Sequence, residues 1–152
     1  MKPTRSTAAP QSDAQRAMLE VVQRWHDLYN SDDVEGFVLK NYAKDANVWF
    51  TGASAHGHDQ FLSVEAGVKK GAPGRYMRID HLHFLDDERV IVEAVVLDRA
   101  RPDFYSPWIA ILTIQDGKIV DDRTYLDPSR WPGIEQVLDV VTPGGLGSSQ
   151  DQ

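Results

Sequence analysis

RVIVEAVVL, residues 89–97, decides the fold. Val90, Val92, Ala94 and Val96 occupy one face of a strand; Ile91, Val95 and Leu97 occupy the other. A strand that is apolar on both faces is covered on both. WIAILTI, residues 108–114, repeats the pattern. Asp86-Asp87-Glu88 precedes the first strand and marks a hairpin turn, and Asp116-Gly117 follows the second as a strong hairpin signal. The flanking segments RYMRIDHLHFL (75–85) and KIVDDRTYLD (118–127) are rich in β-branched and aromatic residues. Together they form a meander of antiparallel strands.

What covers the sheet lies N-terminal to it. Met18, Val21, Val22, Trp25, Leu28 and Tyr29 recur at helical spacing, predicting a helix from Asp13 to near Asn30. Asp32 and Glu35 have the spacing of a capping box for a short second helix reaching about Tyr42. A strand is expected over Asn47–Phe50, then a polar loop, TGASAHGHD, and a third helix from His58 to Lys70. Three helices followed by strands describe an α+β domain spanning 13–142. The helices cover one face, and a second copy of the chain, in a homodimer, is the economical cover for the other, where Val95, Leu97, Ile109 and Ile111 point. Residues 1–12 and 143–152 have the polar, Pro/Gly/Ser-rich composition of disordered tails.

Composition narrows the function. The 152 residues carry 16 basic and 23 acidic side chains, a net charge of −7 that repels nucleic acid. There is no cysteine, which excludes disulfides and thiolate chemistry. No apolar run is long enough for a membrane span or a signal peptide, so a cytoplasmic protein with no membrane partner is expected. His56-Gly57-His58 and His81-Leu82-His83 have a chelating spacing, but each supplies only two imidazoles, and structural zinc takes four ligands. No metal and no cofactor are expected.

VVQRWHDLYNSDDVEGFVLKNYAKDANVWF (21–50) resembles the first helices and strand of steroid Δ-isomerases, and VEAVVLDRARP (92–102) with DGKIVDDRTYLD (116–127) resembles the late strands of limonene epoxide hydrolases. Both belong to the nuclear transport factor 2-like superfamily, which also holds the SnoaL-type cyclases. The resemblance implies a cone: three N-terminal helices packed on a curved, mostly antiparallel sheet, enclosing a pocket for a small hydrophobic molecule. It covers roughly residues 14–131.

The resemblance also implies pocket positions. Trp25 falls where isomerases keep an oxyanion-donating tyrosine, and Phe50 where they keep the base. Val48, Ala94, Val96 and Thr124 fall where the hydrolases keep a tyrosine, an arginine and two aspartates. Ala110 falls near the isomerases' second aspartate. Both known constellations are therefore absent. Strand alternation adds Asp98, Trp108, Asp122 and Leu126 to the same face, with Met77, Ile79, His81 and His83 from the neighbouring strand. Tyr29 lies one helical turn past Trp25.

The ionisable candidates are His81 as a general base and Asp98 with Asp122 as a carboxyl pair of split pKa. Each has a plainer reading: a half-exposed strand histidine, an ion pair of Asp98 with an arginine, a solvated start of a strand. Two functions stay open. One is a lyase, isomerase or cyclase acting by proton transfer, and the other a non-catalytic binding or dimerisation module.

Overall fold

The computed structural model describes residues 6–7, 9–130 and 142–143. In chain order its elements are β1 (Ser6–Thr7), α1 (Asp13–Tyr29), α2 (Val34–Asn41), β2 (Tyr42–Phe50), β3 (Ala53–His56), α3 (Gly57–Gly71), β4 (Arg75–Phe84), β5 (Arg89–Asp98), β6 (Ser106–Gln115), β7 (Lys118–Tyr125), a 3-10 turn (Pro128–Arg130) and β8 (Thr142–Pro143). Three helices pack on one sheet of order β1-β4-β5-β6-β7-β2-β3-β8. This is the expected α+β architecture. The sheet is mixed, because β2 lies parallel to β7 and β1 parallel to β4. Of the tails expected to be disordered, residues 1–5, 8 and 144–152 lie outside the described residues.

Helix α1 starts where Ser12 accepts a 3.1 Å hydrogen bond from the Gln15 N–H, a cap that contributes about 1 kcal/mol. Its stripe of Met18, Val21, Val22, Trp25 and Tyr29 is buried against the sheet. At its end the Asn30 side chain clamps the backbone of β4, donating to Met77 O (2.9 Å) and accepting from Met77 N (2.7 Å). Helix α2 is capped by Asp33, not Asp32: Asp33 Oδ1 accepts from Gly36 N at 2.8 Å. It also stops one residue short of Tyr42, which begins β2. All of YAKDANVWF is therefore strand, longer than the expected Asn47–Phe50. Part of the expected polar loop is strand too, since Ala53–His56 pairs back on β2.

The Asp116-Gly117 hairpin forms as read, with φ of 51° and 74° at the two residues. In the other hairpin Asp86 Oδ1 accepts from the N–H of Glu88 and of Arg89. Pairing puts Val48 beside Asp122, Phe50 beside Thr124, Thr124 beside Ala110 and Ala94 beside Trp108. These inward rows form the core under the helices.

One expectation fails at β4. Ile79 pairs with Ala94, but the next pair is His81 with Glu93, which leaves Asp80 as the extra residue of a bulge. A bulge inverts the alternation beyond it. Leu82, not His81, is therefore buried on the helix side, and His81 and His83 turn to the open face.

Candidate active site

The helices and the sheet enclose a cavity of about 60 Å³. Its wall is mainly aromatic. Trp25 and Tyr29 come from α1 and Phe37 from α2; Tyr42, Val48 and Phe50 come from β2 and Phe61 from α3; Trp108 comes from β6 and Leu126 follows β7. The rings meet edge-on: Trp25 with Trp108 at 5.8 Å between centres, Tyr29 with Phe37 at 5.4 Å, and Tyr42 with Phe61 at 4.6 Å.

Into this apolar wall projects one carboxyl group with no cation beside it. Asp122 is 3% exposed. Tyr42 Oη donates to its Oδ2 at 2.7 Å, and Thr124 Oγ1 donates to its Oδ1 at 2.7 Å. Tyr42 Oη in turn accepts the Trp25 indole N–H at 2.9 Å. The His58 ring holds the start of β2 in place by donating from Nε2 to the Tyr42 carbonyl at 2.7 Å. Burial pushes the Asp122 pKa from 3.8 up to about 6, against the two hydroxyl hydrogen bonds that favour the charged form. Burial also keeps the Tyr42 phenol neutral, with its pKa well above the usual value.

A second polar group stands elsewhere on the wall. Glu65 of α3 lines the cavity and accepts a 3.0 Å hydrogen bond from buried Arg75, whose guanidinium lies over the Tyr29 ring, 4.4 Å from its centre. Burial raises the Glu65 pKa, and Arg75 opposes the rise. Glu65 and Arg75 neutralise one another, whereas Asp122 has no such partner. Environment thus separates the two carboxyl groups of the cavity.

Of the residues singled out from sequence, Trp25, Tyr29, Val48, Phe50, Trp108, Asp122, Thr124 and Leu126 come together here. Ala94, Val96 and Ala110 are buried in the core but do not line the cavity. His81 is turned away by the Asp80 bulge and borders a hollow on the open sheet face. Asp98 is held at the end of β5, where it accepts from Arg101 Nε at 2.9 Å and from Ala100 N at 3.0 Å, and it does not reach the cavity. The expected carboxyl pair of Asp98 with Asp122 is therefore not formed; Glu65 is the second carboxyl group of the cavity. Sequence reasoning missed Glu65, although a signal exists: Phe61, Val64 and Val68 make an apolar helical stripe, and Glu65 is a charge within it. It also missed Phe37 and Tyr42. Among the described residues no group of three or more histidine, aspartate or glutamate side chains could hold a metal. No described helix is long and apolar enough to cross a membrane.

Residues 22–122 match the family model of the SnoaL-like domain. No curated protein matches the chain. Among solved structures, a candidate SnoaL-like polyketide cyclase from Jannaschia sp. CCS1 is 16% identical, with 79% of this chain covering 92% of that one at a TM-score of 0.68. A protein of ketosteroid isomerase-like fold from Catenulispora acidiphila DSM 44928, solved with trimethylamine, is 19% identical over 74% of this chain and 88% of its own, at a TM-score of 0.64. A candidate polyketide cyclase from Sinorhizobium meliloti is 24% identical over 71% and 97%, at 0.61. These likenesses establish the fold.

Proposed function

Because the chain belongs to the SnoaL-like domain family, we propose that it is an enzyme that moves a proton on a small, mainly apolar molecule held in the helix-facing cavity. The observation that carries this is the Asp122 carboxyl: buried, hydrogen-bonded to Tyr42 and Thr124, without a cation, and shifted to about 6. A carboxylate of that pKa is ionised at neutral pH and is a stronger base than an ordinary aspartate. Each of its oxygens keeps a lone pair beyond the bond it already accepts, so it can take a proton from an acidic C–H of the ligand. The resulting acid can return the proton at a neighbouring atom, the outcome of an isomerisation, or give it to the alkoxide formed when the carbanion adds to a second carbonyl of the same molecule, the outcome of an aldol-type cyclisation. Tyr42 holds the carboxyl in place and stays a neutral donor throughout. The aromatic wall supplies affinity through buried area, at roughly 25 cal/mol per Å².

In the same reading the functional unit is a homodimer, without nucleic acid or membrane partners. The supporting feature is the open sheet face, where Ile109 is 40% and Tyr125 45% exposed, beside partly covered Leu97 and Ile111.

The test is hydrogen–deuterium exchange at the ring carbons of 1,4-cyclohexanedione, a ketone with an acidic C–H at each end, in heavy water. The protein should accelerate it, and Asp122→Asn should abolish the acceleration. A ketone that binds without any accelerated exchange would overturn the catalytic reading and leave a binding module.

A further inference from the structure

The cavity has two polar poles. The Asp122 pole ends in Tyr42 and Trp25, and every polar group in it is hydrogen-bonded. The other pole is Tyr29, Glu65 and Arg75. The Tyr29 hydroxyl is buried beside Arg75, which can only donate towards it, so the Tyr29 O–H finds no acceptor, and neither do Nε and Nη1 of Arg75. Arg75 lies over the Tyr29 ring, and its Nη2 donates to Glu65. Buried donors without acceptors are uncommon, because each leaves an uncompensated desolvation cost of about 1–3 kcal/mol. Tyr29 lines the cavity. Its hydroxyl is a donor that a ligand can satisfy.

The two poles are separated by Phe37, which packs edge-on against both tyrosines, 5.4 Å from Tyr29 and 5.8 Å from Tyr42 between ring centres. A ligand that meets both must place two functional groups at opposite ends of an apolar body.

We propose that Tyr29, backed by the Arg75–Glu65 pair, is a recognition site for an acceptor oxygen of the ligand, remote from the atom that reacts at Asp122. The ligand class is a small apolar molecule with a carbonyl, ether or similar oxygen at one end. The oxygen accepts from the Tyr29 hydroxyl, and the Arg75 cation behind the ring strengthens that donor. Glu65 holds Arg75 in position and keeps the pole neutral, which favours an uncharged oxygen over a carboxylate. The inference rests on the cavity reading above and deepens it: Tyr29 would set which molecules are accepted and in which orientation.

The experiment compares cyclohexanone, labelled with ¹³C at the carbonyl, with methylcyclohexane. Binding is followed through the indole N–H resonances of Trp25 and Trp108. Wild type should bind the ketone about tenfold more tightly than the hydrocarbon, with a downfield carbonyl shift that reports the hydrogen bond. Tyr29→Phe should lose both the preference and the shift, while binding methylcyclohexane as wild type does, which also shows that its cavity is intact. Asp122→Asn should keep the preference. A preference that survives Tyr29→Phe, or one that is lost in Asp122→Asn instead, overturns the proposal. If methylcyclohexane binds and the ketone has no advantage, this inference falls while the cavity reading stands. If neither probe binds, both fall.

Discussion

Tyr42 and Asp122, 80 residues apart in sequence, share a 2.7 Å hydrogen bond inside the cavity. Their contact exists because β2 runs parallel to β7 at the point where α2 hands over to the sheet. It places a neutral phenol on a carboxyl that burial makes reluctant to ionise. Most of what can be measured about this site follows from that pairing.

The stability of the protein should depend on Asp122 in a direction opposite to that of a salt-bridged aspartate. Its folded pKa is raised from 3.8 to about 6. Between those values the folded state binds more protons than the unfolded state, so stability falls as pH rises through the window. Relative to wild type, Asp122→Asn should gain up to about 3 kcal/mol at pH 7.5, and the gain should vanish below pH 4. Urea denaturation at the two pH values checks this; a gain that is the same at both would contradict it.

Tyr42→Phe removes the hydroxyl that donates to Asp122 and accepts from Trp25. The lost donation should raise the Asp122 pKa further, because that hydrogen bond favours the ionised form. The Trp25 indole N–H is left buried without its acceptor, at a cost of about 1–3 kcal/mol. Carboxyl ¹³C titration and denaturation of the variant read the two effects separately.

The Glu65–Arg75 pair should show the asymmetry of buried ion pairs. Glu65→Leu alone strands a buried cation and should cost about 3–5 kcal/mol. Glu65→Leu with Arg75→Met should recover most of that loss, because replacing both partners by apolar groups of similar volume removes the stranded charge. A double mutant no more stable than the single one would show that Arg75 is held by something other than Glu65.

On the open sheet face, Ile109→Glu should leave the fold intact, since the side chain is 40% exposed in the single chain. It should convert the proposed dimer to monomer. Sedimentation velocity at micromolar concentration distinguishes the two, and a wild-type monomer would remove the dimer from the functional reading.

Local pattern determined a good deal. The apolar stripe from Met18 to Tyr29, the two-faced strands at 89–97 and 108–114, and the Asp116-Gly117 turn gave three helices, the meander and the inward row of Phe50, Trp108, Asp122 and Thr124. These are set by short-range rules: a helical period of 3.6, a strand period of 2, and the left-handed backbone an Asp-Gly turn supplies. What the sequence could not decide were events with no local cost to betray them. The bulge at Asp80 carried His81 to the open face, because a single unpaired residue inverts everything beyond it. Asp98, on the same strand face as Val96, was captured by Arg101 at the end of its strand. Tyr42 is the last position a helical reading would claim, and parallel pairing with β7 across many intervening residues made it a neighbour of Asp122. Glu65 stands on an apolar helix stripe, and only a tertiary contact with the first residue of β4 brings it the arginine that makes its burial tolerable. Elements are chosen within a few turns of chain, while the partners of a buried charge are chosen by the closure of the whole fold.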